Sequence, residues 1–444
     1  MKVSVIMPSL NVAPYIEKCI KSVINQSLQD IEIICVDAGS TDGTLEILEN
    51  YSNKDKRIKL VHSPVKSYGY QVNLGICMAR GDYIGIVETD DFVDSNMYEV
   101  LYGLAIEHQL DYAKGMFDMF VSIDSNNEVR WRHQSFGNHT ELINRIVEPS
   151  DIAYIYANDT SVWSGIYRKS FLEENSISFN ESAGAAYQDI GFMQQVVGCA
   201  KKACYTSQSL YRYRVDREEA STLSPKVLMY AKAEFERLLQ QKELYNKIKN
   251  KAGFFSRMLG CFLGELKKVL PAVKYDINSE YVKEAYDWFK KQLKDHYTLS
   301  IDERNKEEYK HFLEDETKYI YEERRKFEVR EKKRNEICDA IGTRSVVIFG
   351  AGLLGKYALK FLLARNFRIV AFCDNCTEKQ TDITEKLPVL DLSKCKKMYK
   401  QAVYVVANKN NSREIYLQLI NDGIDDSHIA VSYTHLRAHE TKAN

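Results

Sequence analysis

The sequence predicts an α/β fold organised around a mostly parallel sheet, and three observations predict it: β-branched apolar runs alternate with segments of helical spacing, the runs are continuous rather than alternating, and polar motifs follow them directly. Val3 to Met7 is the first such run and ends at Pro8. Tyr15 to Ile24 then carries helical spacing, and Ile31 to Val36 repeats the strand pattern. After the turn at Gly39 a second helix is expected over Thr44 to Tyr51, followed by strands at Ile58 to His62 and Tyr83 to Val87. Ligands of such sheets gather beyond the carboxyl ends of the strands. PSLN, DAGSTDG and ETDD all fall at those ends.

A chain of 444 residues exceeds what one core serves well, so two or three domains are expected. From about Pro225 to Arg334 the composition shifts to Lys, Glu, Tyr and Leu, which predicts successive helices; the charged stretch from Asp302 to Glu336 reads as a solvated helical spacer or hairpin, with a partner-binding or membrane-surface helix as the alternative. A second α/β unit opens at Ser345 with the strand SVVIF, the turn GAGLLG, a helix over Lys356 to Asn366 and the strand RIVAFCD, and another strand follows near Val403. The expected division is therefore 1–224 catalytic, 225–340 helical and charged, 341–431 Rossmann-like, and 432–444 a non-native tail.

Lys+Arg 61 against Asp+Glu 62 leaves a formal charge of -1, so no global field favours nucleic acid. The apolar run near the N-terminus is too short for a signal-peptide core, and Met258 to Leu266 falls far short of about 20 apolar residues for a membrane span. A cytoplasmic protein is expected, peripheral to a membrane at most. In that setting the ten cysteines stay reduced, and the Cys373–Cys376 pair lacks the further ligands of a zinc site.

Sugar transfer from a nucleoside diphosphate needs a nucleoside pocket, a cation for the departing diphosphate and a base for the acceptor. Asp37 ends the second strand, where its carboxylate can accept from a base N–H or ribose hydroxyl; a turn aspartate is the plainer alternative, as for Asp42 before Gly43. Glu88 and Asp90 alternate along an extended strand, so both can approach one hard cation.

Taken in order, VSVIMPSLNVAPYIEKCIKSVINQS, IEIICVDAGSTDGT and ARGDYIGIVETDD resemble the successive motifs of family 2 glycosyltransferases, over about residues 1 to 215. The resemblance implies a GT-A fold, a metal-dependent inverting transfer, a nucleotide-sugar donor of the UDP type and a glycan or lipid-linked acceptor of bacterial surface polysaccharide. It implies donor contacts from Pro8, Ser9, Asn11, Asp37, Asn73, Glu88 and Asp90, with manganese or magnesium at Glu88 and Asp90. Asp189, in the position of the family's ED pair with Gln188 replacing the glutamate, is implied as catalytic base; a helix cap is its alternative. Trp163 and Arg214 are implied on the acceptor side, each also readable as core or exposed strand. Ala38, Val72 and Glu88 are further departures from the family pattern.

Gly350, Gly352 and Gly355 open a helix after a strand, with Asp374 ending the next one; this is the spacing of a dinucleotide fingerprint. A nucleotide or NAD(P) is the expected ligand there, in a regulatory or dimerising role. The rival functions are a nucleotide-sugar oxidoreductase or epimerase run by this unit, and a non-catalytic nucleotide-sugar binder.

Overall fold

The computed structural model describes residues 1–124, 127–133, 135–137, 139–217, 226–280, 282–376 and 387–431. The expected tail at 432–444 lies outside the described residues. The first part runs β1 (Val3–Ser9), α1 (Ala13–Ile24), β2 (Ile31–Asp37), α2 (Thr44–Ser52), β3 (Ile58–His62), α3 (Tyr68–Met78), β4 (Tyr83–Ile86), β5 (Phe92–Val93) and α4 (Met97–His108). It continues with β6 (Tyr112–Asp124), β7 (Asn127–Arg132), β8 (Ile146–Val147), α5 (Ala153–Asn158), β9 (Gly165–Arg168), α6 (Lys169–Glu174), α7 (Gln188–Cys199) and β10 (Ala203–Arg214).

These strands form one sheet in the order β3-β2-β1-β4-β9-β6-β10-β5. From β3 to β4 every pairing is parallel, and β1 and β2 are buried along their whole length, which explains their unbroken apolar runs. Beyond β4 the sheet becomes mixed, because β9 runs antiparallel to both β4 and β6 while β10 runs parallel to β6. Pairing β1 with β2 aligns Ser9 with Asp37, and β4 stops opposite Ile6, so Glu88 to Asp91 emerges beside the end of β1.

Helices α8 (Val227–Gln240), α9 (Lys242–Lys247), α10 (Lys251–Ala272), α11 (Lys283–His296) and α12 (Glu303–Glu314) follow, then α13 (Glu316–Ile341). Phe235, Phe254, Phe262, Phe289 and Phe312 bury into the same apolar cluster as the sheet. The helical region is therefore packed on the first sheet, and the charged stretch buries Tyr309, Phe312 and Tyr319 while exposing its other faces. At 26 residues, α13 is about 39 Å long and ends in the second unit, where Ile337 and Ile341 are buried.

That unit contains β11 (Val346–Phe349), α14 (Leu353–Leu363), β12 (Ile369–Cys373), β13 (Val389–Leu390), α15 (Leu392–Met398), β14 (Val403–Val406), α16 (Ser412–Asn421) and β15 (Ile429–Val431). Its sheet is parallel throughout, in the order β13-β12-β11-β14-β15. Val121 and Val129 of the β6–β7 hairpin share an apolar cluster with Ile341, Ile348 and Phe361, so the two sheets are joined through packed side chains. Among the described residues no helix is long and apolar enough to cross a membrane.

Candidate active site

The loop after β1 and the loop after β2 are stapled to each other. The Asn11 N–H donates to Ser40 Oγ and the Thr41 N–H to Asn11 Oδ1, each at 2.9 Å, while Asp42 accepts from the N–H groups of Ala13 and Thr44. Asp42 is thus the turn residue its position before Gly43 suggests, while Gly43 itself is the N-cap of α2.

Asp37, the expected nucleoside ligand, is bonded on both oxygens within the protein. It is completely buried: Oδ1 accepts from the Gly39 and Ser40 N–H groups at 2.9 Å, and Oδ2 accepts from the hydroxyls of Ser40 at 2.5 Å and Ser9 at 3.1 Å. With both oxygens committed, Asp37 and Ser9 shape the loop from within. Of the residues named for the donor in these two loops, Asn11 is the exposed one. Pro8 is buried, and its carbonyl accepts from Thr89 Oγ1 at 2.9 Å, tying the end of β1 to the acidic turn.

Asn73, also expected at the donor, is bonded within the protein. Its amide donates to the Phe179 carbonyl and Glu181 Oε1, and its oxygen accepts from the Phe179 N–H at 2.9 Å. This fastens α3 to the segment leading into α7. Gly69 lies so close to that segment that an added Cβ would meet the Asn180 carbonyl at 1.9 Å.

Gln188 completes the same attachment, and its chemistry accounts for the missing glutamate. Its oxygen accepts from the Gly69 N–H at 2.9 Å while its Nε2 donates to the Ser182 carbonyl at 2.6 Å. A carboxylate can accept the first bond but cannot donate the second. Gln188→Glu is therefore expected to leave buried groups unpaired and to cost about 1–3 kcal/mol of stability, read as a lower midpoint in calorimetric unfolding; an unchanged midpoint would mean that the amide does not hold this loop.

The acidic turn divides its labour. Asp91 points inward, accepting from the Tyr211 hydroxyl at 2.8 Å and the Arg214 N–H at 2.7 Å, and it is almost fully buried. Glu88 and Asp90 remain partly accessible. Glu88 Oε1 accepts from the Tyr68 hydroxyl at 2.5 Å, and Asp90 Oδ2 pairs with Arg217 Nη1 at 3.0 Å. Burial pushes the Glu88 carboxyl up to about 8; the Tyr68 hydrogen bond opposes the rise, while Asp90 and Asp189 add to it. Two hard carboxylates whose negative charges oppose one another fit a divalent cation that completes its shell from a substrate's phosphates. Among the described residues no cluster of three or more His, Cys, Asp or Glu is placed to hold a metal ion.

Asp189 occupies the first turn of α7, directly after Tyr187, whose φ of 69° is left-handed. For a non-glycine residue that conformation costs of order 1–3 kcal/mol, and the attachments through Asn73 and Gln188 hold the segment around it. Burial pushes the Asp189 carboxyl up to about 6, opposed by the Ile190 N–H and by the positive charge of Arg257. The charges of Asp189, Asp90 and Glu88 all act on Tyr213, and those of Glu88 and Asp189 on Tyr68, so carboxylates from two separate segments and tyrosines from two more converge on one acidic pocket.

Trp163 and Arg214, expected on the acceptor side, are both committed within the protein. The Trp163 ring is 8% exposed and stacks on Tyr211 and Tyr213, with centroids 4.3 and 4.9 Å away, so it walls the pocket instead of offering a free face. Arg214 donates to the Asp90 carbonyl, Ser122 Oγ and Asp216 Oδ1, and its guanidinium lies 4.6 Å from the rings of Tyr15 and Phe120. It positions the acidic turn. Sequence reasoning missed Tyr68, Arg217 and Arg257; their contacts arise from distant segments and leave no local pattern.

In the second unit, Gly350 takes a φ of 112°, Gly352 caps α14, and an added Cβ on Gly355 would meet the Gly350 carbonyl at 1.9 Å. Asp374 accepts from the Ala351 N–H at 2.8 Å and the Cys376 N–H at 2.9 Å. One amide of the glycine loop is thus already directed at a carboxylate. Cys373 is buried and Cys376 exposed, and both are free thiols.

Residues 4–174 match the family model described as "Glycosyl transferase family 2". The uncharacterized glycosyltransferase EpsJ of Bacillus subtilis (strain 168) is 34% identical over 217 residues, 48% of this chain and 60% of that protein. Glycosyltransferase GlyG of Streptococcus pneumoniae serotype 4 is 31% identical over 220 residues, 48% of this chain and 70% of its own length. The chain spans 60% of EpsJ and 64% of YibD, an uncharacterized glycosyltransferase of Escherichia coli (strain K12). A crystal structure of S. aureus TarS 1-349 with UDP-GlcNAc shares the fold at a TM-score of 0.50 and 21% identity, covering 73% of this chain and 90% of that one. Asp189 and all the helices from α7 onward lie beyond the family-model match. The motif order and the extent of the GlyG match place this chain in glycosyl transferase family 2.

Proposed function

We propose that the protein is an inverting glycosyltransferase that moves a sugar from a UDP-sugar to a hydroxyl of a glycan or lipid-linked acceptor in bacterial surface-polysaccharide synthesis. The observation that carries this reading is the convergence of Asp189, from the start of α7, with Glu88 and Asp90, from the end of β4, around Tyr68 and Tyr213. Burial holds the Asp189 carboxyl near 6, so that its ionised form can take a proton, and a divalent ion between Glu88 and Asp90 would displace the proton that burial favours on Glu88.

In this scheme Asp189 accepts the acceptor hydroxyl's proton as that oxygen attacks the anomeric carbon. The bond from that carbon to the diphosphate oxygen breaks on the opposite side, which inverts the configuration. A divalent ion held by Glu88 and Asp90 would offset the charge gathering on the departing diphosphate. Arg214, Asp91 and Tyr211 hold the turn that presents those two carboxylates. The TarS complex with UDP-GlcNAc and the 29% identical poly(ribitol-phosphate) beta-glucosyltransferase of Bacillus spizizenii support a UDP-sugar and a surface-polymer acceptor. The helical region and second unit are proposed as an extension and a nucleotide-binding or dimerising module, and contact with a membrane as peripheral.

A panel of UDP-, GDP- and TDP-sugars incubated with manganese, with release of free nucleoside diphosphate measured, tests the proposal. Metal-dependent release from one UDP-sugar is expected; reduced or oxidised nicotinamide turnover with no nucleotide release would instead favour an oxidoreductase, and donor binding without turnover, with or without candidate acceptors, a non-catalytic binder.

A further inference from the structure

Arg257 on α10 is 94% buried by exposure of 6%, and its Nε has no hydrogen-bond partner. Among the described residues none of its nitrogens forms an ion pair or hydrogen bond. Burying a charged group without a partner costs several kcal/mol, so a fold that retains one generally has another use for it.

The surroundings indicate that use. Gly253, one turn earlier, lets α10 approach α5 so closely that an added Cβ would meet the Ala153 carbonyl at 2.5 Å, which fixes the helix against the body of the protein. Gly253, Arg257, Cys261 and Glu265 recur every fourth residue and so share one face. That face meets the strained start of α7: Cys261 and Glu265 lie close enough to Tyr187 to act on its hydroxyl electrostatically, and the charge of Arg257 acts on both Tyr187 and Asp189 without being ion-paired to Asp189. Glu265 is ion-paired through Oε1 with Lys268, 3.0 Å away, although its buried Oε2 has no partner, whereas Arg257 has no ion pair among the described residues.

From this geometry we infer that Arg257 binds an oxyanion on the acceptor, a phosphate or a carboxylate, and thereby holds the attacking hydroxyl next to Asp189. The inference rests on the transferase reading of Asp189 and narrows its substrate to an anionic glycan or polyol. A guanidinium suits either group, because its planar donors match both bidentately.

The test titrates the full-length protein, saturated with UDP and manganese, with glucose, glucuronate and glucose 6-phosphate by calorimetry. At least one charged sugar is expected to bind wild type about tenfold or more tighter than glucose, and R257Q is expected to lose that preference while R257K keeps part of it. Whichever charged sugar is preferred identifies the anion. UDP affinity should be the same in all three proteins. R257M is expected to melt no lower than wild type, and about 2 °C higher if the unpaired charge is relieved, whereas a purely structural arginine would be missed. Charged sugars that bind wild type no better than glucose, including no binding at all, or a preference that survives R257Q, would overturn the inference. Failure to bind UDP would instead count against the transferase reading.

Discussion

Asp189→Asn is expected to lower turnover by about 10²–10⁴-fold while leaving nucleoside diphosphate affinity essentially unchanged. The amide preserves the shape of the side chain at the first turn of α7 but cannot take a proton from the acceptor. Single-turnover transfer and UDP binding, measured on the same preparation, separate the two effects. The pH profile gives an independent check. Burial holds the wild-type carboxyl near 6, and the base works only when ionised, so the rate should fall about tenfold for each unit below that value and level off above it. The residual activity of the asparagine variant should lack this limb. A variant that keeps both full turnover and the limb would assign the proton transfer to another group and reduce Asp189 to a helix-terminal residue.

The parts of the fold that sequence reasoning reached are those whose cause is local. β1, β2 and β3 were legible because they are apolar runs of the right length, and β11, α14 and β12 because a glycine turn punctuates them. α3 was missed for a physical reason: Tyr68–Met78 directs Gln71 inward, where its amide donates to the Ser9 and Val36 carbonyls, and it carries two glycines, so no apolar stripe marks it. The long strand β6 was missed as well, since its charged residues pair with neighbours: Lys114 is buried against Asp159, and Asp118 bonds to Arg132. In the site, the family resemblance pointed to segments and side chains by motif, and the contacts those side chains make were not legible in it. Polar atoms of Asp37, Asn73 and Arg214 and the ring of Trp163 are engaged by other parts of the protein. Which side of a loop a carboxylate faces depends on partners from elsewhere in the chain, such as Ser9 for Asp37, and no spacing within the motif records that.

Asp90→Asn should abolish metal dependence and reduce donor turnover by about 10³-fold, since a cation at a departing diphosphate contributes several kcal/mol and each 1.36 kcal/mol is a factor of ten. Asparagine retains an oxygen ligand but loses the charge, so manganese binding followed by paramagnetic resonance should weaken in parallel, independently of turnover. Arg217→Gln makes the opposite prediction for the metal. Arg217 pairs with Asp90 Oδ2 at 3.0 Å, and any ion approaching that oxygen must compete with the guanidinium. Removing the competitor should tighten manganese binding severalfold in the absence of nucleotide, by up to about the 1 kcal/mol of a partly exposed ion pair. Equal manganese affinity in Asp90→Asn and wild type would exclude Asp90 as a ligand. Weaker binding in Arg217→Gln would mean that the arginine organises the turn for the ion, as Arg214 does through the Asp90 carbonyl, instead of guarding the site against it.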